Sequence, residues 1–435
     1  MPRWSNMIED LVSRVTEIGS TMLVNSQSHE QTLTQKCDAL LSNLGEATGL
    51  ARSKDILEVF KGLDQAQKLA FFQAVCRDFG VDGKALGQAL EAWQKNPDDE
   101  HTRHIHFASE PRSQELIRRL NLAPGGTAAL VAMREDLLAH IKQDASLSSL
   151  DKDMRHLFAS WFNRGFLRLE RIDWSTSANI LEKIIAYEAV HEIQGWDDLR
   201  RRVGASDRRL YAFFHPSLID EPLIFVEVAL TQSMPDNIAS ILTEERQNLM
   251  PQDASTAVFY SISNCQAGLR GISFGNFLIK QVVEELKREL PNLKRFVTMS
   301  PVPGLRRWAN SDAPLALQNK ALINALEQQS DLFQADFMSA KQAPLSQLAA
   351  CFLLEAKNKK GRPYDPVSQF HLGNGARLQQ INLWADRSQR GQENAWGVMV
   401  NYEYDLDYIE KNHEAFICDG IISASSQVKK QNKHH

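Results

Sequence analysis

Two side chains able to do acid–base chemistry stand in constrained surroundings in this chain. Ser300 opens the run Ser300-Pro301-Val302-Pro303-Gly304. Two prolines two residues apart stiffen the backbone and restrict the residue before each, so the Ser300 hydroxyl would be held fixed at a strand end. The same run would serve equally as a plain strand terminator. His371 lies in Phe370-His371-Leu372-Gly373-Asn374-Gly375-Ala376, ahead of a glycine-rich turn and near the start of a strand. An imidazole there can give or take a proton at neutral pH, although a lone histidine is commonly structural. A third feature is the turn Arg270-Gly271-Ile272-Ser273-Phe274-Gly275-Asn276, between an apolar run and an amphipathic helix. Such a turn presents backbone N–H groups at a helix N-terminus, where the helix dipole favours an anion. Glycines at 271 and 275 permit positive φ and close approach. The turn has no Gly-Lys-Ser/Thr and no GxGxxG, so it is neither a P-loop nor a dinucleotide fingerprint. An ordinary strand-to-helix turn could carry the same residues.

Other candidates are weaker. His101, His104 and His106 fall in HTRHIHF with no cysteine or acidic residue at ligand spacing, which predicts a surface loop and no metal site. Cys265 adjoins the glycine turn but has only Arg270 nearby to lower a thiol pKa. Glu227 interrupts the apolar run PLIFVEVAL and therefore needs a partner or a raised pKa. His215-Pro216 reads as a turn that could line a site.

The elements that must position these residues can be read from periodicity. Ala257–Ile262 is an apolar strand. After the glycine turn, Leu278, Ile279, Val282, Val283, Leu286 and Leu290 mark one face of a helix, ended by Pro291-Asn292. A strand over Arg295–Met299 then delivers Ser300, completing a crossover unit. Upstream, residues 1–164 carry apolar positions at three- and four-residue spacing with turn signals between them, which predicts an all-helical bundle. From residue 165 the pattern alternates: strands over Leu167–Asp173, Arg208–Phe214 and Leu223–Leu230, helices over Ala178–Val190, Trp196–Val203 and Pro235–Gln247. A helix-rich insertion follows Gly304, from about 315 to 357. Strands over Ala376–Ala385 and Trp396–Tyr404 flank a loop at Asp386–Asn394, and 426–435 reads as a disordered tail.

Composition sets the outer bounds. At 435 residues the chain predicts more than one domain. A net charge of −5 argues against nucleic acid as a partner, since phosphate backbones need a basic field. No apolar run approaches the roughly 20 residues of a membrane span. The N-terminus lacks a signal-peptide apolar core and the C-terminus is not a peroxisomal address, so the cytoplasm is the expected compartment. Five scattered cysteines with no CxxC predict buried or free thiols.

Taken together, HPSLIDEPLIFVEVAL, FYSISNCQAGLRGISFGNFLIKQVVEELKRELPNL, SPVPG, DPVSQFHLGNGA, INLWADRSQRG and GVMVNYEY resemble the malonyl-CoA decarboxylase family across 165–424. The resemblance implies a GNAT-like (acetyltransferase-type) mixed-sheet catalytic domain over 165–425, making the fold α+β, behind a helical, oligomerising domain. It implies decarboxylation of malonyl-CoA to acetyl-CoA and CO₂ with no metal and no organic cofactor. The family's catalytic serine falls on Ser300, its catalytic histidine on His371, and its coenzyme A phosphate loop on Arg270, Gly271, Ile272, Ser273, Phe274, Gly275 and Asn276. A homo-oligomer, a tetramer by expectation, follows from the same resemblance. Eukaryotic relatives carry a glutamate where this chain has Ser273, so the resemblance does not carry that carboxylate's role in orienting the histidine over to this position. Two other readings share the fold: an acyl-CoA N-acyltransferase, and a non-catalytic malonyl-CoA sensor.

Overall fold

The computed structural model describes residues 12–21, 31–42, 45–243, 248–272 and 278–432. The expected loop residues Ser273, Phe274, Gly275 and Asn276 lie outside these. The chain divides into two compact units. One is residues 1–168 with 214–223 and 266–274; the other is 169–213, 224–265 and 275–435.

The first unit is helical. Capping boxes at Thr32 and Asp64 start the helices Leu33–Leu41 and Gln65–Asp78, each satisfying two otherwise orphan N–H groups. Ile56, Phe60, Phe72, Leu130, Leu137 and Phe158, from helices far apart in sequence, supply its core. The HTRHIHF stretch is not a loop. It lies within the helix Asp99–Ala108, because Asp98 accepts the His101 N–H as N-cap and no breaker follows. Among the described residues no group of three or more His, Cys, Asp or Glu is arranged to hold a metal ion.

The second unit is built on one mixed sheet: β1 (Arg168–Ile172), β2 (Arg208–Phe214), β3 (Pro222–Thr231), β4 (Thr256–Asn264), β5 (Arg295–Thr298), β6 (Ser300–Pro301), β7 (Arg377–Asn382) and β8 (Met399–Glu403). The spatial order is β1-β2-β3-β4-β5-β8-β6, with β7 paired to β8. β3 and β4 run antiparallel and β4 and β5 parallel. The helix Leu278–Glu289 makes the crossover between the parallel pair and buries Leu278, Ile279, Val282, Val283 and Leu286. Each such side chain contributes roughly 1.5–3 kcal/mol on burial. A helical N-terminal region followed by a mixed sheet makes the fold α+β.

Several expected boundaries move. Trp384 and Trp396 adopt left-handed φ of 59° and 50°, which ends β7 at Asn382 and delays β8 to Met399. The expected loop between them contains the helix Gln389–Ala395, capped by Ser388; its residues, QRGQENA, have no apolar periodicity to announce it. Only Ala239–Leu242 is helical within Pro235–Gln247, of which 244–247 are not described. The expected disordered tail holds the helix Ser426–Gln431. Ser425 caps it, Val428 is fully buried, and Asn432 donates to Glu355 Oε1 at 2.6 Å. One buried valine and a good cap anchor a segment whose polar composition suggested none. No described helix is long and apolar enough to cross a membrane.

Candidate active site

β5 and β6 bring Ser300 alongside β8, opposite Val400. β5 pairs with β4 only from Thr256 to Phe259, and Met299 N–H then donates to Phe259 O at 2.9 Å. Among the described pairings, none joins β4 to β5 beyond that point, and a pocket of about 230 Å³ lies there. Tyr260, Ile262 and Asn264 of β4, Ser300 and Pro301 of β6, and Phe370 and His371 are among its lining residues. The turn after β5 is pinned from β8: Asn401 Nδ2 donates to Thr298 O at 2.7 Å, and Tyr402 N–H donates to Thr298 Oγ1 at 3.0 Å. Ser300 is 5% exposed.

His371 arrives from the other side of the pocket, in the last turn of the helix Pro366–Gly373. Asp365 at the N-cap and Pro366 at the first helical position start this helix, and both are favoured there. His371 Nε2 lies 3.1 Å from Ser300 Oγ, and Nδ1 lies 2.7 Å from the Tyr404 hydroxyl. The Tyr402 ring stacks on the imidazole at 4.6 Å between centroids. Ser300 Oγ also donates to Thr298 Oγ1 at 2.8 Å. With that hydroxyl proton so placed, Nε2–H donates to Ser300 Oγ, and Nδ1 accepts from Tyr404. The tautomer is thus set by the network.

Burial governs the protonation states. His371, 3% exposed, is pushed down to about 3, and burial raises Tyr404 well above the ordinary phenol range. The free site therefore holds a neutral imidazole at physiological pH. A stability dependence follows. Above about pH 6.5 the imidazole is neutral in both folded and unfolded chains, and its contribution to stability is fully present. As pH falls from 6.5 towards 3, the unfolded chain takes up a proton that the folded one refuses, and stability is lost. Thermal melts across this window are expected to fall less steeply for His371→Asn than for the wild type. The difference should be on the order of a few kcal/mol at the acid end. Parallel curves would contradict a neutral buried His371.

The glycine turn is held within the helical unit. Arg134, buried on the helix Gly126–Ile141, pairs with Asp151 at 2.8 Å and donates to Gly268 O at 2.5 Å and Arg270 O at 3.0 Å. Arg155 donates to Gly271 O at 3.3 Å. Because C=O and the next N–H point opposite ways across a planar peptide, a carbonyl turned to Arg134 turns the Gly271 N–H away from it. Gly271 has φ 78°, as expected for its turn.

The remaining candidates take structural roles. Glu227 is fully buried and pairs with Arg202 at 3.3 Å; burial raises it to about 7 against the pull of Arg202. His215 accepts from Ser217 N–H at 3.2 Å and donates to Trp161 O at 3.1 Å, which fixes it as a turn residue. The Cys265 sulfur is buried beside Ser263 O. Sequence reasoning missed Thr298, Asp365, Tyr402 and Tyr404. The period-two alternation of β8 does place Tyr402 and Tyr404 on one face, but nothing in it aims that face at His371.

The dyad and its pocket thus define a candidate acid–base site on a mixed sheet. A family model described as the malonyl-CoA decarboxylase C-terminal domain matches residues 165–435, and one described as the N-terminal domain of the same enzyme matches 79–162. The mitochondrial malonyl-CoA decarboxylase of Anser anser anser is 33% identical over 417 residues, covering 87% of this chain and 82% of its own. That of Rattus norvegicus is 32% identical over 421 residues, covering 86% and 84%. The crystal structure of malonyl-CoA decarboxylase from Rhodopseudomonas palustris matches with a TM-score of 0.88 at 53% identity, over 92% of this chain and 98% of that one. The chain belongs to the malonyl-CoA decarboxylase family.

Proposed function

We propose that the protein decarboxylates malonyl-CoA to acetyl-CoA and CO₂, with Ser300 and His371 as the reacting pair. The observation that carries this reading is the buried hydrogen-bonded line from Thr298 through Ser300 and His371 to Tyr404, ending on the pocket. In the reaction the bond between C2 and the carboxyl carbon breaks. Its electron pair enters the thioester as an enolate, and one proton is taken up at C2.

Three demands follow. The carboxylate must be turned so that the breaking bond overlaps the carbonyl π system, a matter of positioning. Ser300 serves this by turning its one hydroxyl proton from Thr298 Oγ1 to the carboxylate, which can only accept. The enolate oxygen needs donors, each worth around 10²–10³ in rate; backbone N–H groups over 262–265, at the end of β4, are assigned to it. The proton comes from His371. Only burial depresses its pKa, with no acidic neighbour to oppose it, so the substrate carboxylate supplies the negative charge that draws a proton onto the imidazole. The loop 270–276 is assigned to the pyrophosphate of coenzyme A.

Incubation with malonyl-CoA alone is the test. Acetyl-CoA and CO₂ in equal amounts, with no acceptor present, are expected. An absolute requirement for an acceptor amine would favour an N-acyltransferase, and tight binding with unchanged ligand would favour a sensor.

A homo-oligomer, a tetramer in our reading, is assigned to the helical region. The helices Gly83–Lys95 and Asp99–Ala108 contain no buried residue, and they expose Leu90, Trp93 and Phe107, the last at 69%. Apolar side chains so displayed favour a covering partner. Trp93→Glu combined with Phe107→Glu is expected to lower the mass seen by sedimentation; an unchanged mass would place the contact elsewhere. The cytoplasm is the proposed compartment, supported by five thiols that form no disulfide.

A further inference from the structure

Asp365 is 2% exposed and joins the two chain segments that carry the reacting pair. Its Oδ1 accepts the Gly304 N–H at 3.0 Å, and its Oδ2 accepts the Ser368 N–H at 2.8 Å. Gly304 closes the segment that begins at Ser300. Ser368 stands in the first turn of the helix that ends on His371. The Ser368 hydroxyl lies 2.7 Å from the Tyr402 hydroxyl, and the Tyr402 ring covers the imidazole.

Helix capping alone does not account for a carboxylate here. Serine, threonine or asparagine caps a helix about as well, without the cost of burying a charge. What a carboxylate adds is a second acceptor, so that one side chain ties down two backbone donors from different segments. Gly304 is shaped to this contact: a Cβ there would sit 3.1 Å from Asp365 Oδ1 and 3.2 Å from the Phe352 ring. The two stiff devices flanking the dyad, Pro301-Val302-Pro303 and Asp365-Pro366, thus meet at one carboxylate.

We infer that Asp365 is a positioning residue for the reaction: it sets the separation of Ser300 and His371 by fixing the backbone behind each. The inference rests on the Ser300–His371 reading above. Misplacement of a reacting group by about 1 Å can cost on the order of 10² in rate, so a side chain that touches no substrate can still control turnover.

Asp365→Asn keeps the volume and one acceptor but turns an amide NH₂ towards the other N–H. It is expected to lower kcat roughly 10- to 100-fold, with KM and the dissociation constant for acetyl-CoA within about threefold. In a His371→Asn background the same change should lower kcat by less than about threefold, because it acts through a partner already removed. A full effect in that background would make Asp365 a general stabiliser and overturn the assignment. So would near-normal turnover, or a loss confined to KM. Gly304→Ala crowds Oδ1 while leaving the carboxylate in place, and should give the same kcat-only signature. Should Asp365→Asn fail to fold, normal kcat in Gly304→Ala overturns the assignment and reduced kcat supports it. The two readings separate cleanly. Wild-type turnover in His371→Asn removes the dyad itself, whereas lost turnover there beside unchanged turnover in Asp365→Asn removes only the role given to Asp365.

Discussion

His371→Asn is expected to lower kcat for malonyl-CoA by roughly 10²–10⁴ while leaving the dissociation constant for acetyl-CoA within about threefold. The size comes from what the asparagine cannot do. Its amide can donate towards Ser300 Oγ, where Nε2 now lies at 3.1 Å, but it cannot carry a proton to carbon. The coenzyme A handle is assigned to a different stretch of chain, so binding should survive. The change does leave the Tyr404 hydroxyl without its partner at 2.7 Å, and an unsatisfied buried donor costs about 1–3 kcal/mol. Turnover should therefore be compared at a temperature where circular dichroism shows both proteins folded. A kcat near the wild-type value would remove His371 from the reaction. A raised KM with unchanged kcat would make it a binding residue instead.

The local neutrality of His371 bears on the same experiment. A histidine held near pH 3 by burial alone is a poor acid donor in the free protein, because almost none of it is charged at neutral pH. Entry of a carboxylate reverses the balance: an opposite charge within about 4–6 Å favours the imidazolium. On the role proposed for His371, the imidazole would become an acid once the substrate carboxylate stands beside it.

Much of this was legible in the residues. The proline pair after Ser300 signalled that the strand could not run on, and β6, which Ser300 opens, is only two residues long. The amphipathic face of Leu278–Glu289 fixed the crossover and hence the parallel β4–β5 pair. What could not be read was which partner each rigid group would meet. Ser300 and His371 are 71 residues apart, with a helical insertion between them, and the tyrosine on Nδ1 follows β8, further along the chain still. Local pattern carries information about spacing within an element; contact between elements depends on packing of the whole sheet. The short helix Pro366–Gly373 was signalled by Asp365-Pro366, yet with eight residues it shows too few turns for periodicity to reveal it. The helix Gln389–Ala395 was missed because Gly391 is there for space, not flexibility: a Cβ would come 2.5 Å from Asp386 Oδ2.

Gly268→Ala is expected to weaken coenzyme A binding about tenfold or more, and it tests the assignment of the glycine turn. A Cβ at this position would lie 1.9 Å from Val131 O and 2.8 Å from Val131 C. Both are backbone atoms of the Gly126–Ile141 helix, so neither can swing aside as a side-chain tip would. Overpacking against such a wall costs about 1–3 kcal/mol, and the cheaper response is for the turn to lift away. Lifting breaks the bonds from Arg134 to Gly268 O and Arg270 O and frees the peptide planes those bonds orient. If the turn holds pyrophosphate, each 1.4 kcal/mol so lost is a tenfold rise in dissociation constant. Malonyl-pantetheine, which has the thioester but no pyrophosphate, separates this from general damage. On that substrate Gly268→Ala should match the wild type in kcat/KM, and on malonyl-CoA it should fall behind by the full binding loss. Equal losses on both substrates would show that the turn braces the fold and leaves the pyrophosphate to other residues.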